Sequence, residues 1–262
     1  MRKMSRRPGV KKKLVLRLQD CRVFIVDAFG LRESSRQAEE FTLQGTKSKF
    51  PGVIPANEIW ISRRHFSSEG IFLLTHALTD LAGRKRGLSE EDADESALQV
   101  ERSLREAITG EKFRHGRSHK QVPNQLYDSL YTTIPDPEGE IEVWLIDGHL
   151  ARCWYKTDYA EGGHYVVYPW VPKREIWLER AQDPRELPFI CVHEYLELRM
   201  MRDNDLPYDD AHPIASKIEF GLRREKLDLP LESAGRLSKA DLPGLASPAV
   251  YEFVLRRFLN RR

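Results

Sequence analysis

His193, Glu194 and Glu197 lie in the stretch CVHEYLEL, inside an otherwise apolar window. On an α-helix, residues four apart share a face, so His193 and Glu197 would project side by side, one turn apart. That pairing lets an imidazole nitrogen and a carboxylate oxygen reach one divalent ion. Glu194 would sit about 100° around the helix from His193. A third ligand of the right type, His212, follows in YDDAHPIASKIE. If the two segments pair as antiparallel helices, the start of the second comes near the end of the first. His193, Glu197 and His212 then form a two-histidine, one-carboxylate set, the number of protein ligands a catalytic zinc takes while keeping one position for water.

Accessory candidates surround this set. Glu219 follows His212 by two helical turns, too far along the axis to ligate the same ion, and is placed behind the ligands or against an arginine. His164, in AEGGHYVVYPW, follows two glycines that permit close approach, so it could complete a metal sphere or touch substrate. Tyr208, just before His212, is a candidate donor to an oxyanion. A plainer reading competes at each position: a core histidine bonded to backbone, a capping His212, glutamates facing water. Neither Glu194 nor Glu197 has a basic residue four positions on, so the usual helix-surface ion pair does not explain them.

The motif H-E-x-x-E resembles the H-E-x-x-H of the thermolysin-like zinc metallopeptidases, over one helix and one following residue. The resemblance implies a zinc-dependent hydrolase with His193, Glu197 and His212 as ligands and Glu194 as general base. It departs from that family at a ligand position, with Glu in the motif and His downstream. The chain is also similar to uncharacterised bacterial and phage proteins with an HE-x-x-E … YD-x-AH pattern, which implies a module and no activity.

The elements that must carry these residues repeat. VFIVDAFGLR from Val23 matches VWLIDGHLAR from Val143, IPANEIWIS from Ile54 matches VPKREIWLE from Val171, and IFLLTHALTDL from Ile71 matches PFICVHEYLEL from Pro188. Three matches in order, at an offset of about 117–120 residues, indicate a tandem duplication. Each copy reads as a small antiparallel sheet followed by two helices, an α+β fold, with the copies packed as a pseudo-dimer. In the second copy, Asp147-Gly148 signals a two-residue hairpin between EIEVWLI and HLARCWYK. The helix over RELPFICVHEYLELRMMRD is followed by one capped by Asp209 or Asp210 and running to about Glu225. The expected divisions are a disordered basic arm over 1–19, a first module over 20–110, a linker over 111–140, a second module over 141–228, and a C-terminal extension with a helix over 229–262.

The duplication supplies an internal control. At the positions of His193, Glu194, Glu197 and His212 the first copy has His76, Ala77, Asp80 and Asp94, and it has no histidine matching His164. It therefore lacks the general base and reads as degenerate. Trp60 and Trp177, in the shared EIW, are expected to be packing anchors, and Asp27 and Asp147 to make turns.

Composition sets the remaining bounds. Among 262 residues the net charge is +2, with 40% hydrophobic and 31% charged, so no global field argues for a nucleic-acid partner. The start, MRKMSRRPGVKKK, is locally basic and could meet a nucleic acid or an acidic partner. No apolar run reaches the ~20 residues that cross a bilayer. Three cysteines without C-x-x-C spacing suggest buried thiols in a reducing, cytoplasmic setting. P-loop, dinucleotide and serine-hydrolase signatures are missing. Two functions are compatible with these residues: a zinc-dependent (or other divalent-metal) hydrolase, a peptidase by resemblance, acting through the second copy; or a duplicated binding or structural module of phage or mobile-element character, its basic arm reaching an acidic partner.

Overall fold

The protein is represented by a computed structural model that describes residues 10–114 and 122–224. Residues 1–9 and the expected C-terminal extension and helix lie outside the described residues. The chain divides into two compact units, Met1–Phe113 with His149–Ala160, and Arg114–Gly148 with Glu161–Arg262.

The first module runs β1 (Lys12–Arg17), β2 (Arg22–Val26), α1 (Ala28–Ser34), β3 (Gln44–Thr46), β4 (Glu58–Ser62), α2 (Phe66–Lys85) and α3 (Glu90–Thr109). The second repeats it as β5 (Tyr127–Ile134), β6 (Ile141–Ile146), α4 (Gly148–Trp154), β7 (Gly162–His164), β8 (Glu175–Glu179), α5 (Leu187–Asn204) and α6 (Tyr208–Arg224). The sheets are ordered β1-β2-β4-β3 and β5-β6-β8-β7. The α+β duplication is thus present element by element. The shared EIW motif does the same work twice, for the indole of Trp60 donates to Glu58 and that of Trp177 to Glu175, each at 2.7 Å. Both indoles are buried, as expected of packing anchors.

Five expectations need correction. The sheets are mixed rather than antiparallel, because β2 pairs with β4, and β6 with β8, in parallel. Parallel neighbours need a crossover, which a two-residue turn cannot supply. The Asp147-Gly148 hairpin is accordingly not formed, and Gly148 opens helix α4. Its first-copy counterpart shows why: Asp27 caps α1, its carboxylate accepting from the Gly30 amide at 3.3 Å, and aspartate serves helix starts as readily as turns. The disordered arm expected over 1–19 is contradicted where it is described, because Lys12–Arg17 is strand β1 at a sheet edge. The linker likewise contains β5, paired with β6. Helix α6 begins at Tyr208, so Asp209 and Asp210 occupy its first turn rather than its cap, where carboxylates suit the helix dipole.

In the first unit, Val23, Ile59 and Ile61 of the sheet pack with Leu73 and Ala77 of α2. In the second, α5 is more deeply enclosed. Apart from Pro188, every residue from Leu187 to Leu198 is buried. A helix covered all round is an interior helix, so the polar residues it carries are interior too. No helix among the described residues is long and apolar enough to cross a membrane. All three cysteines are buried free thiols.

Candidate metal centre

Helix α5 brings His193 and Glu197 to one face, and α6 presents His212 from its second turn. His193 Nε2 lies 3.1 Å from His212 Nδ1, His212 Nδ1 lies 2.8 Å from Glu197 Oε2, and His193 Nε2 lies 3.4 Å from the same oxygen. Ligands at roughly 2.0–2.1 Å in a tetrahedral shell are about 3.3 Å apart, so the triangle has the size of one face of such a shell. His193 and Glu197 are buried, whereas the His212 side chain is 35% exposed. The ring of Tyr208 stacks on His212, with centroids 5.0 Å apart.

The other nitrogen of His193 fixes the orientation. Nδ1 lies 2.9 Å from Glu219 Oε2, which fixes the ring so that Nε2 faces the triangle. Glu219 also accepts from Arg223, and Arg223 donates to Glu186 at 2.7 Å. All four side chains are buried. A carboxylate behind a ligating histidine holds ring and tautomer in place, and Glu219 occupies that position, against an arginine, as its spacing suggested.

The glutamates do not face water. Glu194 is 8% exposed and Glu197 is 3% exposed. Burial raises the Glu194 carboxyl well above the usual carboxylate range, and the neighbouring Glu197 charge adds to the effect. Burial works against the Glu197 carboxylate too, but hydrogen bonds from His164, His193 and His212 outweigh it and keep it ionised. The His193 imidazolium is also opposed by burial, yet Glu197 and Glu219 hold its pKa well above the ordinary histidine range. Without a cation, protons therefore balance the carboxylates, and a divalent ion would displace them. His164 is fully buried, and burial lowers its pKa. Its Nε2 lies 3.1 Å from Glu197 Oε1, the oxygen turned away from His193 and His212.

The first unit repeats the support without the triangle. His76 Nδ1 meets Glu101 Oε2 at 3.1 Å, Glu101 accepts from Arg105, and Arg105 reaches Glu69. Asp80, however, is drawn to Arg84 at 2.9 Å, and Asp94 pairs with Lys49 at 2.7 Å besides meeting His76 Nε2 at 3.3 Å. Burial lowers the His76 pKa, but hydrogen bonds to Asp94 and Glu101 outweigh it and raise it to about 9. Among the described residues, convergent groups of ligand atoms occur only in the second unit, as His193, Glu197 and His212 and as His164, Glu194 and Glu197.

Sequence reasoning missed Arg223 and Glu186, and read Gly162 only as one of two glycines permitting close approach, without Glu194 as what approaches. Arg223 was legible as an i,i+4 partner of Glu219. Glu186 had only its match to Glu69 as a signal. A Cβ on Gly162 would come within 2.7 Å of Glu194 Oε1, so the bare strand makes room for the carboxylate. In the first unit the partners are exchanged, with Gln44 on the strand and Ala77 on the helix. No protein-family model, curated protein or solved structure matches the chain.

Proposed function

We propose that the second unit is a metal-dependent hydrolase, with zinc the favoured ion, and that the first unit is its degenerate copy. The observation that carries this reading is the closed triangle of His193 Nε2, His212 Nδ1 and Glu197 Oε2, with His212 partly exposed. A divalent ion at such a site lowers the pKa of water and polarises a carbonyl or similar centre. His193 is aimed by Glu219 and Arg223, so it binds without reorganising. Glu194, adjoining on α5, accepts the proton of the attacking water and returns it to the leaving group. The resemblance to thermolysin-like enzymes makes a peptide carbonyl the favoured substrate centre, and the buried free thiols favour a reducing cytoplasm.

One observation favours a non-enzymatic module instead: the histidine–glutamate–arginine chain recurs in the first unit without a convergent ligand set, so that chain is in part architectural. Metal analysis of the purified protein separates the readings. Wild type should carry stoichiometric transition metal and His193→Ala should not. Metal-free wild type, after purification without chelator and with zinc supplied, would remove the hydrolase reading.

A further inference from the structure

Glu197 presents its two oxygens to different partners. Oε2 faces His193 and His212, while Oε1 faces His164 Nε2 at 3.1 Å. On the Oε1 side stands Glu194, more than nine-tenths buried. Ligand atoms of His164, Glu194 and Glu197 lie within 4.8 Å of one another. His164 is itself fully enclosed, and its Nδ1 is buried without a partner. Gly162 leaves room for the Glu194 side chain: a Cβ there would lie 2.7 Å from Oε1 of Glu194 and 2.9 Å from its Cγ.

The geometry points to a second cation position in the second unit, held by His164 Nε2, Glu197 Oε1 and one oxygen of Glu194, with Glu197 bridging it to the His193–His212 position. The inference rests on the hydrolase reading for the first position and deepens it. Carboxylate-bridged pairs hold their ions about 3.5–4 Å apart and stabilise the attacking and the leaving oxygen of a displacement together. One imidazole and two carboxylates suit a first-row divalent cation. Glu194 ligates with one oxygen and keeps the other as proton acceptor, so its role as base is unchanged. The first unit lacks both special residues of this position at once. Thr46 stands where His164 does and Ala77 where Glu194 does, although His76 is retained.

The test is a Mn²⁺ titration of the chelator-stripped full chain, read by metal content after gel filtration and by electron paramagnetic resonance. Wild type should bind two equivalents and show an exchange-coupled pair. His164→Ala should bind one and show the six-line signal of an isolated ion, with His164→Gln repeating the result if the alanine variant misfolds by circular dichroism. One equivalent in wild type, unchanged in His164→Ala, overturns the second position and leaves the first. Two equivalents in both overturns the assignment to His164. None in wild type overturns both positions.

Discussion

Gly162→Ala should damage the candidate site by way of Glu194 without touching any ligand of the first cation position. The backbone at Gly162 is not among the positive-φ glycines, so alanine meets no torsional penalty there. The whole effect is steric. The added methyl would stand 2.7 Å from Glu194 Oε1, 2.9 Å from Cγ and 3.0 Å from Cδ. Non-bonded heavy atoms rest at about 3.5–4.0 Å, so the side chain must retreat by roughly 0.5–1 Å. Rotating the carboxylate alone does not relieve the clash, because Cγ is also too close. Overpacking of this kind costs about 1–3 kcal/mol, which lowers Tm by roughly 2–4 °C per kcal/mol for a chain of this size. If Glu194 is the base, a displacement of ~1 Å should lower turnover by about 10²-fold. Differential scanning calorimetry and a hydrolysis assay read the two effects. Glu194→Ala removes the obstruction, so Gly162→Ala/Glu194→Ala should regain stability relative to Gly162→Ala, with a coupling of about 0.5–3 kcal/mol for residues in contact. An unchanged Tm in Gly162→Ala, or an additive double variant, would refute the close approach and the role built on it.

Two further outcomes are expected. Arg223→Met should destabilise the second unit by about 3–5 kcal/mol, since it removes the buried guanidinium that Glu186 and Glu219 share, and urea unfolding should show it; a neutral variant would mean those carboxylates take protons at little cost. The His76 pKa rises from an ordinary 6.5 to about 9 on folding. Its contribution is therefore fully present below pH 6.5 and lost as pH rises through 9, on the order of 3 kcal/mol in all. The stability difference between wild type and His76→Gln, followed from pH 6 to 10, should shrink across that window.

The duplication and the three-residue triangle were legible because each depends on residue identity at regular spacing, which a helix converts directly into a shared face. The sheets were less legible. Whether β6 lies parallel or antiparallel to a neighbour is decided by the route of the chain between them, and no alternation in EIEVWLI encodes that route. HLARCWYK is short enough to fit either period, and Asp147 before it suits a helix start or a turn. Strand β1 was mistaken for a tail because its ends are exposed and carry Lys12, Lys13 and Arg17, the charges by which edge strands resist pairing with other chains. The solvated-glutamate reading failed for a related reason. Burial of α5 comes from elements on all sides of it, and its own composition holds too many polar residues to announce that.

The membership of His149–Ala160 in the first unit has a consequence for how the chain is made. Within that unit Glu69 accepts from His149 at 2.5 Å and lies 3.2 Å from Arg152, in addition to its pairing with Arg105. Trp154 adds a donor to Glu111 at 2.6 Å. A ribosome that has just released Thr109 has delivered both long helices of the first module, yet not these partners. They follow only after β5 and β6 of the second sheet have emerged, whereas separable domains complete themselves in order of synthesis. The gene repeats its module in tandem, but the polypeptide cannot be divided at the repeat boundary: a fragment ending there would keep Glu69 buried with part of its cationic shell missing.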